Sequence, residues 1–166
     1  NKSNDLTVDL KKTINAINKI DSQRYDLNKR VIELNILIDE LQSGKAILSY
    51  PRTLPESINK RLEELQKITQ ERDKLSLAYN ENTFAYKQKE QELNSIKDYL
   101  FAQLVNLKKE WLTTLADISK RKEKLEKVFT EMPDKNTQYS KNQRYYKLYE
   151  EFYLSMMQSK AAFEIA

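Results

Sequence analysis

The stretch from Leu10 to Leu41, LKKTINAINKIDSQRYDLNKRVIELNILIDEL, decides the fold. Steps of three and four in alternation land on Leu10, Thr13, Ile17, Ile20, Arg24, Leu27, Val31, Leu34, Ile38 and Leu41, and eight of those ten are apolar. An apolar residue about every 3.5 positions, kept up over several heptads, is the seam of a coiled coil. Ile14, Ile32, Ile36 and Leu37 widen the stripe on one side, so this helix is expected to touch more than one neighbour. Ser43-Gly44 ends it, because glycine takes the left-handed position after a helix at least cost.

The rest of the chain reads the same way. Among 166 residues there are one Gly and three Pro, while 33% are charged. Sandwiches, barrels and α/β folds need turn residues far more often than that. The class is all-α, with three to four long antiparallel coiled-coil helices in an elongated single segment spanning residues 1–166. Helices are expected at about 4–43, 56–79, 84–131 and 135–165. Gly44, Pro51 and Pro55 mark the first loop, and Thr53-Leu54-Pro55-Glu56 has capping-box spacing, with Thr53 as N-cap. The second helix carries Ile58, Leu62, Leu65, Ile68, Leu75 and Tyr79. Asn80-Glu81-Asn82-Thr83 then interrupts the pattern, either as a tight turn or as a kink.

The third helix is the spine. Its register is Leu93, Lys97, Leu100, Leu104, Leu107, Trp111, Thr114, Ile118, Arg121, Leu125 and Val128, eight of eleven apolar. Met132-Pro133-Asp134 ends it, since proline disfavours a helical residue before it. A last helix carries Tyr139, Tyr146, Tyr149, Phe152, Tyr153, Met156, Met157, Ala161 and Phe163. This stripe is expected to pack on the spine helix and to leave a remainder of interface, since Tyr, Met and Phe suit both. Arg24 and Arg121 occupy seam positions, where they either form buried ion pairs that fix register or snorkel outward, the commoner outcome. Trp111 reads as core packing.

Much chemistry is excluded. Without Cys or His there is no disulfide, thiolate, imidazole base or imidazole metal ligand, and the lone Gly44 cannot build a phosphate-cradling loop. The carboxylate pairs Glu63-Glu64, Glu90 with Glu92, and Glu150-Glu151 lie on solvated faces, with nothing convergent around them. No catalytic residue, cofactor or metal is expected. The net charge of +4 is a mild excess spread along the chain, densest at Lys11-Lys12, Lys108-Lys109 and Lys120-Arg121-Lys122, and acids interleave with the bases, so nucleic acid is not an expected partner. No apolar run reaches the ~20 residues that span a bilayer. The chain starts at Asn1 and stops at Ala166 within a helical pattern, as an excised segment of a larger protein would.

The last third carries a resemblance. Met132-Pro133-Asp134-Lys135, then Arg144, then Phe152-Tyr153-Leu154-Ser155-Met156-Met157-Gln158-Ser159-Lys160, closing with Glu164-Ile165-Ala166, resembles a pattern of the polysaccharide co-polymerases. These are the chain-length determinant proteins and the related exopolysaccharide tyrosine autokinases of bacteria. Glu71-Arg72 with Leu75, the break at 80–83, and the long helix from Ile20-Asp21 to Ser43-Gly44 are similar to the family's coiled-coil region. Met156-Met157 stands where Leu-Leu is usual, Asn142 where an apolar residue often precedes the arginine, and Thr83 where proline is common.

The resemblance implies the periplasmic coiled-coil part of an inner-membrane protein, with membrane spans in flanking segments. Its members assemble as rings and control the length or export of capsular, O-antigen or exopolysaccharide chains. The implied partners are further copies of itself and the polysaccharide polymerase or export machinery. Pro133, Arg144, Tyr153, Lys160 and Glu164 match the family motif, and the implied role for each is structural or in assembly. A tyrosine autokinase domain would be cytoplasmic and separate from these residues. The alternatives are the helical hairpin of a periplasmic adaptor in a secretion or efflux system, and a cytoplasmic coiled-coil scaffold.

Overall fold

A computed structural model of the chain describes residues 2–47, 50–132, 142, 143, 145–147, 149–154, 156–158 and 160. Three long helices are complete: α1 (Lys2–Ser43), α2 (Glu56–Ala78) and α3 (Phe84–Thr130). The described residues between 142 and 160 are also helical, and no strand occurs among the described residues. The parts of the expected last helix at 135–141 and 161–165 lie outside them.

The helices contribute to two compact units. One gathers Arg30–Leu112, and the other joins Asn1–Lys29 to Thr113–Ala166.

The Arg30–Leu112 unit holds the larger core. Leu34, Leu37, Ile38 and Leu41 of α1 pack with Ile58, Leu62, Leu65 and Ile68 of α2 and with Leu93, Leu100, Leu104 and Leu107 of α3. Trp111 packs against this cluster, as its spacing implies. Ile32 and Ile36 do not widen the stripe; both are exposed, because at about 100° per residue they fall on the face opposite Leu34, Leu37, Ile38 and Leu41. Gly44 takes φ +68° just beyond α1, the left-handed cap that its position suggests.

The loop into α2 is built by backbone. Leu54 N donates to Pro51 O at 3.4 Å, burying Leu54, and Gln66 Nε2 ties the loop down by donating to Ile47 O at 3.2 Å. Thr53 is not the N-cap. That position belongs to Pro55, with φ −52° and ψ 143°, and no side chain caps the helix. Its carbonyl accepts from Ile58 N and Asn59 N, so the proline sits one place earlier than the first helical turn.

Residues 80–83 form a turn. Tyr79 leaves the helix in extended backbone, Asn80 O accepts from Thr83 N at 3.0 Å, and Asn80 Oδ1 accepts from Asn82 N at 3.2 Å. The chain reverses there. Glu71 of α2 pairs with Lys89 of α3 at 2.7 Å, and the Arg61 guanidinium lies 3.8 Å over the Tyr99 ring. Both pairs are centred on position 80, which only an antiparallel hairpin allows. The Lys89 ammonium holds the Glu71 carboxyl below its ordinary value, and hydrogen bonds to Glu71 and Glu92 hold Lys89 above its own. Near the tip, Leu77, Tyr79 and Phe84 are exposed, so Tyr79 lies outside the apolar face expected of α2.

The other unit has a smaller core. Leu10 and Ile17 of α1 meet Phe129 of α3, with Ile14, Leu125, Met132 and Tyr145 packed around them. Here some positions of both seams lie one residue later than strict alternation gives, while Leu10, Ile17, Ile118 and Leu125 keep their places. In α3 two steps of four follow one another, Leu107 to Trp111 to Leu115, and the inward residues are then Ile118, Lys122, Leu125 and Phe129. Thr114, Arg121 and Val128 are exposed. Such an inserted step corrects the drift of a 3.6-residue turn against a 3.5-residue repeat. In α1 the inward residue after Ile17 is Asp21 rather than Ile20, which is only half-buried, as is Arg24.

Candidate functional site

The shifted seams bring two opposite charges together. Asp21 follows Ile17 by one turn on α1, and Lys122 follows Ile118 by one turn on α3. Their relative exposures are 5% and 6%. Lys122, one of the basic run Lys120-Arg121-Lys122, is buried because the extra four-residue step turns it inward and Arg121 outward.

Lys122 Nζ lies 2.6 Å from Asp21 Oδ1 and 3.6 Å from Glu126 Oε1, one turn further along α3. Both contacts are close in distance without hydrogen-bond alignment, so the attraction is coulombic. The ammonium also faces two rings of the C-terminal helical residues, 5.2 Å from the Tyr149 centroid and 5.9 Å from that of Phe152. Phe152 in turn meets Tyr25 of α1 edge-on at 6.1 Å. One cation therefore touches groups from three parts of the chain.

A hydroxyl chain closes the site. Tyr149 donates to the Tyr145 hydroxyl across a long 3.4 Å, and Tyr145 hydrogen-bonds Glu126. Tyr145 stacks on Phe129 at 5.9 Å and meets Tyr149 edge-on at 4.9 Å. Burial, then the hydrogen bonds to Glu126 and Tyr149, push the Tyr145 phenol well above its ordinary value. The arrangement holds charge in place. Asp21 and Lys122, its two central groups, are both closed to solvent, which suits fixing helices.

The aromatic stripe divides. Tyr149 and Phe152 of the stripe face Lys122, joined by Tyr145, which lies outside the expected stripe, whereas Tyr146, Tyr153, Met156 and Met157 are exposed. Among the described positions the packing face is therefore narrower than the stripe; Tyr139, Ala161 and Phe163 lie outside the described residues. Of the motif residues, Tyr153 is 63% exposed and Lys160 is also on the surface. Neither joins the Lys122 site. Pro133, Arg144 and Glu164 lie outside the described residues.

Of the carboxylate pairs, Glu63, Glu64, Glu150 and Glu151 are exposed, while Glu92 pairs with Lys89 at 3.2 Å. Among the described residues, no group of three or more acidic side chains is placed to hold a metal ion, and no helix is long and apolar enough to cross a membrane. The sequence did carry a signal for the buried site: an acid and a base, each four residues after an isoleucine of its seam, with tyrosines nearby. No protein-family model, curated protein or solved structure matches the chain.

Proposed function

We propose that this chain is a non-catalytic assembly module, the periplasmic coiled-coil part of a bacterial polysaccharide co-polymerase. One observation carries the reading. The C-terminal helical residues are anchored by one edge, through Phe152 and Tyr145, and turn a row of Tyr146, Tyr153, Leu154 and Met157 to solvent. Tyr153 of the co-polymerase motif lies in that row. Exposed tyrosine, leucine and methionine on an anchored helix suit contact with a further protein surface. The long antiparallel helices would project that surface, and the work would be done by contact with further copies and with the polymerase or export machinery.

The test is made in the cell, on the full-length protein. A phosphatase that folds only outside the cytoplasm, inserted at exposed Lys45, is expected to be active, and deletion of the gene is expected to change the length distribution or export of the surface polysaccharide. An active cytoplasmic reporter at the same position, or an unchanged polysaccharide ladder, would overturn the reading.

A further inference from the structure

We infer that Lys122 is a register key: its buried ammonium selects the one longitudinal alignment in which α1, α3 and the C-terminal helical residues pack. This inference stands independently of the proposed function.

Few apolar contacts hold the C-terminal helical residues in place. The cluster of the Arg30–Leu112 unit contains thirteen fully buried apolar side chains among the described residues, and the cluster beside Lys122 contains three, Leu10, Ile17 and Phe129. Apolar contacts between helices are forgiving of a slip by one turn, because the stripe repeats and one leucine-sized group replaces another. A short seam of that kind specifies weakly the register of the C-terminal helical residues, whereas α1 and α3 are also aligned by the larger core to which both contribute.

A buried ion pair is not forgiving. A slip of one turn moves a side chain about 5.4 Å along the axis. Lys122 Nζ, now 2.6 Å from Asp21 Oδ1, would leave that carboxylate; Asp21 would remain buried with no opposite partner, and Lys122 would keep only Glu126, 3.6 Å away on its own helix. The same ammonium faces Tyr149 and Phe152, so a slip of the C-terminal residues would take their ring faces away as well. Alignment of α1 and alignment of the C-terminal residues are thus both set at one atom. A polar residue at a seam position is a known means of choosing one register at some cost in stability. The consequence reaches the surface, because a slip of one turn would carry the exposed Tyr146, Tyr153 and Met157 about 5.4 Å along the axis.

The experiment uses the chain's lack of cysteine, which makes introduced thiols unique. Spin labels at Ser22 and Glu151, both exposed and outside the site, report the distance between α1 and the C-terminal residues. The full chain is expected to give one narrow distance. The double substitution Asp21→Leu with Lys122→Met removes both charges together; it is expected to remain helical and to spread the distance into components separated by about one turn, 5.4 Å. A control pair at Glu64 and Ser95 in the hairpin is expected not to change. One narrow, unshifted distance in the double variant would overturn the inference. Lys122→Arg, which keeps the charge, serves if the double variant does not fold: it is expected to keep a single distance, and a spread there would equally overturn the inference.

Discussion

Lys122 touches two carboxylates and two ring faces, and removing one of these is a different event from removing the charges together. Asp21→Ala strands a buried ammonium beside the more exposed Glu126, and breaking a buried pair in this way costs roughly 3–5 kcal/mol. The variant is expected to lose about that much in urea unfolding followed by helical ellipticity, whereas the paired apolar replacement is expected to stay near the parent, as such replacements often do. An equal loss in both would mean that packing, and not charge, holds the site. This residue-scale detail was hidden in the sequence for a definite reason. Counting by threes and fours seeks apolar side chains, so it preferred Ile20 over Asp21, and strict alternation carried past Leu107 chose Arg121 over Lys122 and Val128 over Phe129. The true seam passes through the polar residues because their charges neutralise each other across the helices, which a one-helix reading cannot weigh.

Elements were easier to read than residues, and their ends show why. Ser43-Gly44 and Pro55 break the helical pattern by covalent geometry alone, so α1 and the start of α2 fall where the sequence puts them. The cap of α2 was misassigned, because Thr53 has the right spacing but the turn closed by Pro51 O and Leu54 N takes it out of reach. The break at 80–83 contains neither glycine nor proline, and its reversal depends on a side chain, Asn80 Oδ1, standing in for backbone. Propensity does not reveal that. Antiparallel packing of α2 on α3 makes a sharp prediction for spin labels at Glu64 and Ser95. A continuous helix would hold them roughly 46 Å apart at 1.5 Å per residue, whereas neighbouring helices 8–10 Å apart should bring them within about 20 Å. A distance near the longer value would mean that Glu71–Lys89 and Arg61–Tyr99 do not form in solution.

At the scale of the whole molecule, two cores of unequal size share the helices α1 and α3, so the two units need not lose structure together. Alkaline pH should separate them. The Tyr145 phenol is held above its ordinary value by burial and by its bonds to Glu126 and Tyr149, so the folded state keeps a proton that the unfolded chain releases near pH 10. That contribution to stability is complete below about pH 10 and falls as pH rises toward the folded value, because the unfolded state then binds fewer protons. Tyrosine absorbance reports ionisation, and the single tryptophan, Trp111, packs on the other core. Above about pH 10 Tyr145 is expected to ionise only as its helix leaves α1 and α3, while the emission maximum of Trp111 stays where it was. Tyr145→Phe cannot ionise, and it is expected to hold the labels at Ser22 and Glu151 at their neutral-pH distance through the same range. Were the parent and Tyr145→Phe to separate at the same pH, Tyr145 would not be the group that weakens the site in alkali.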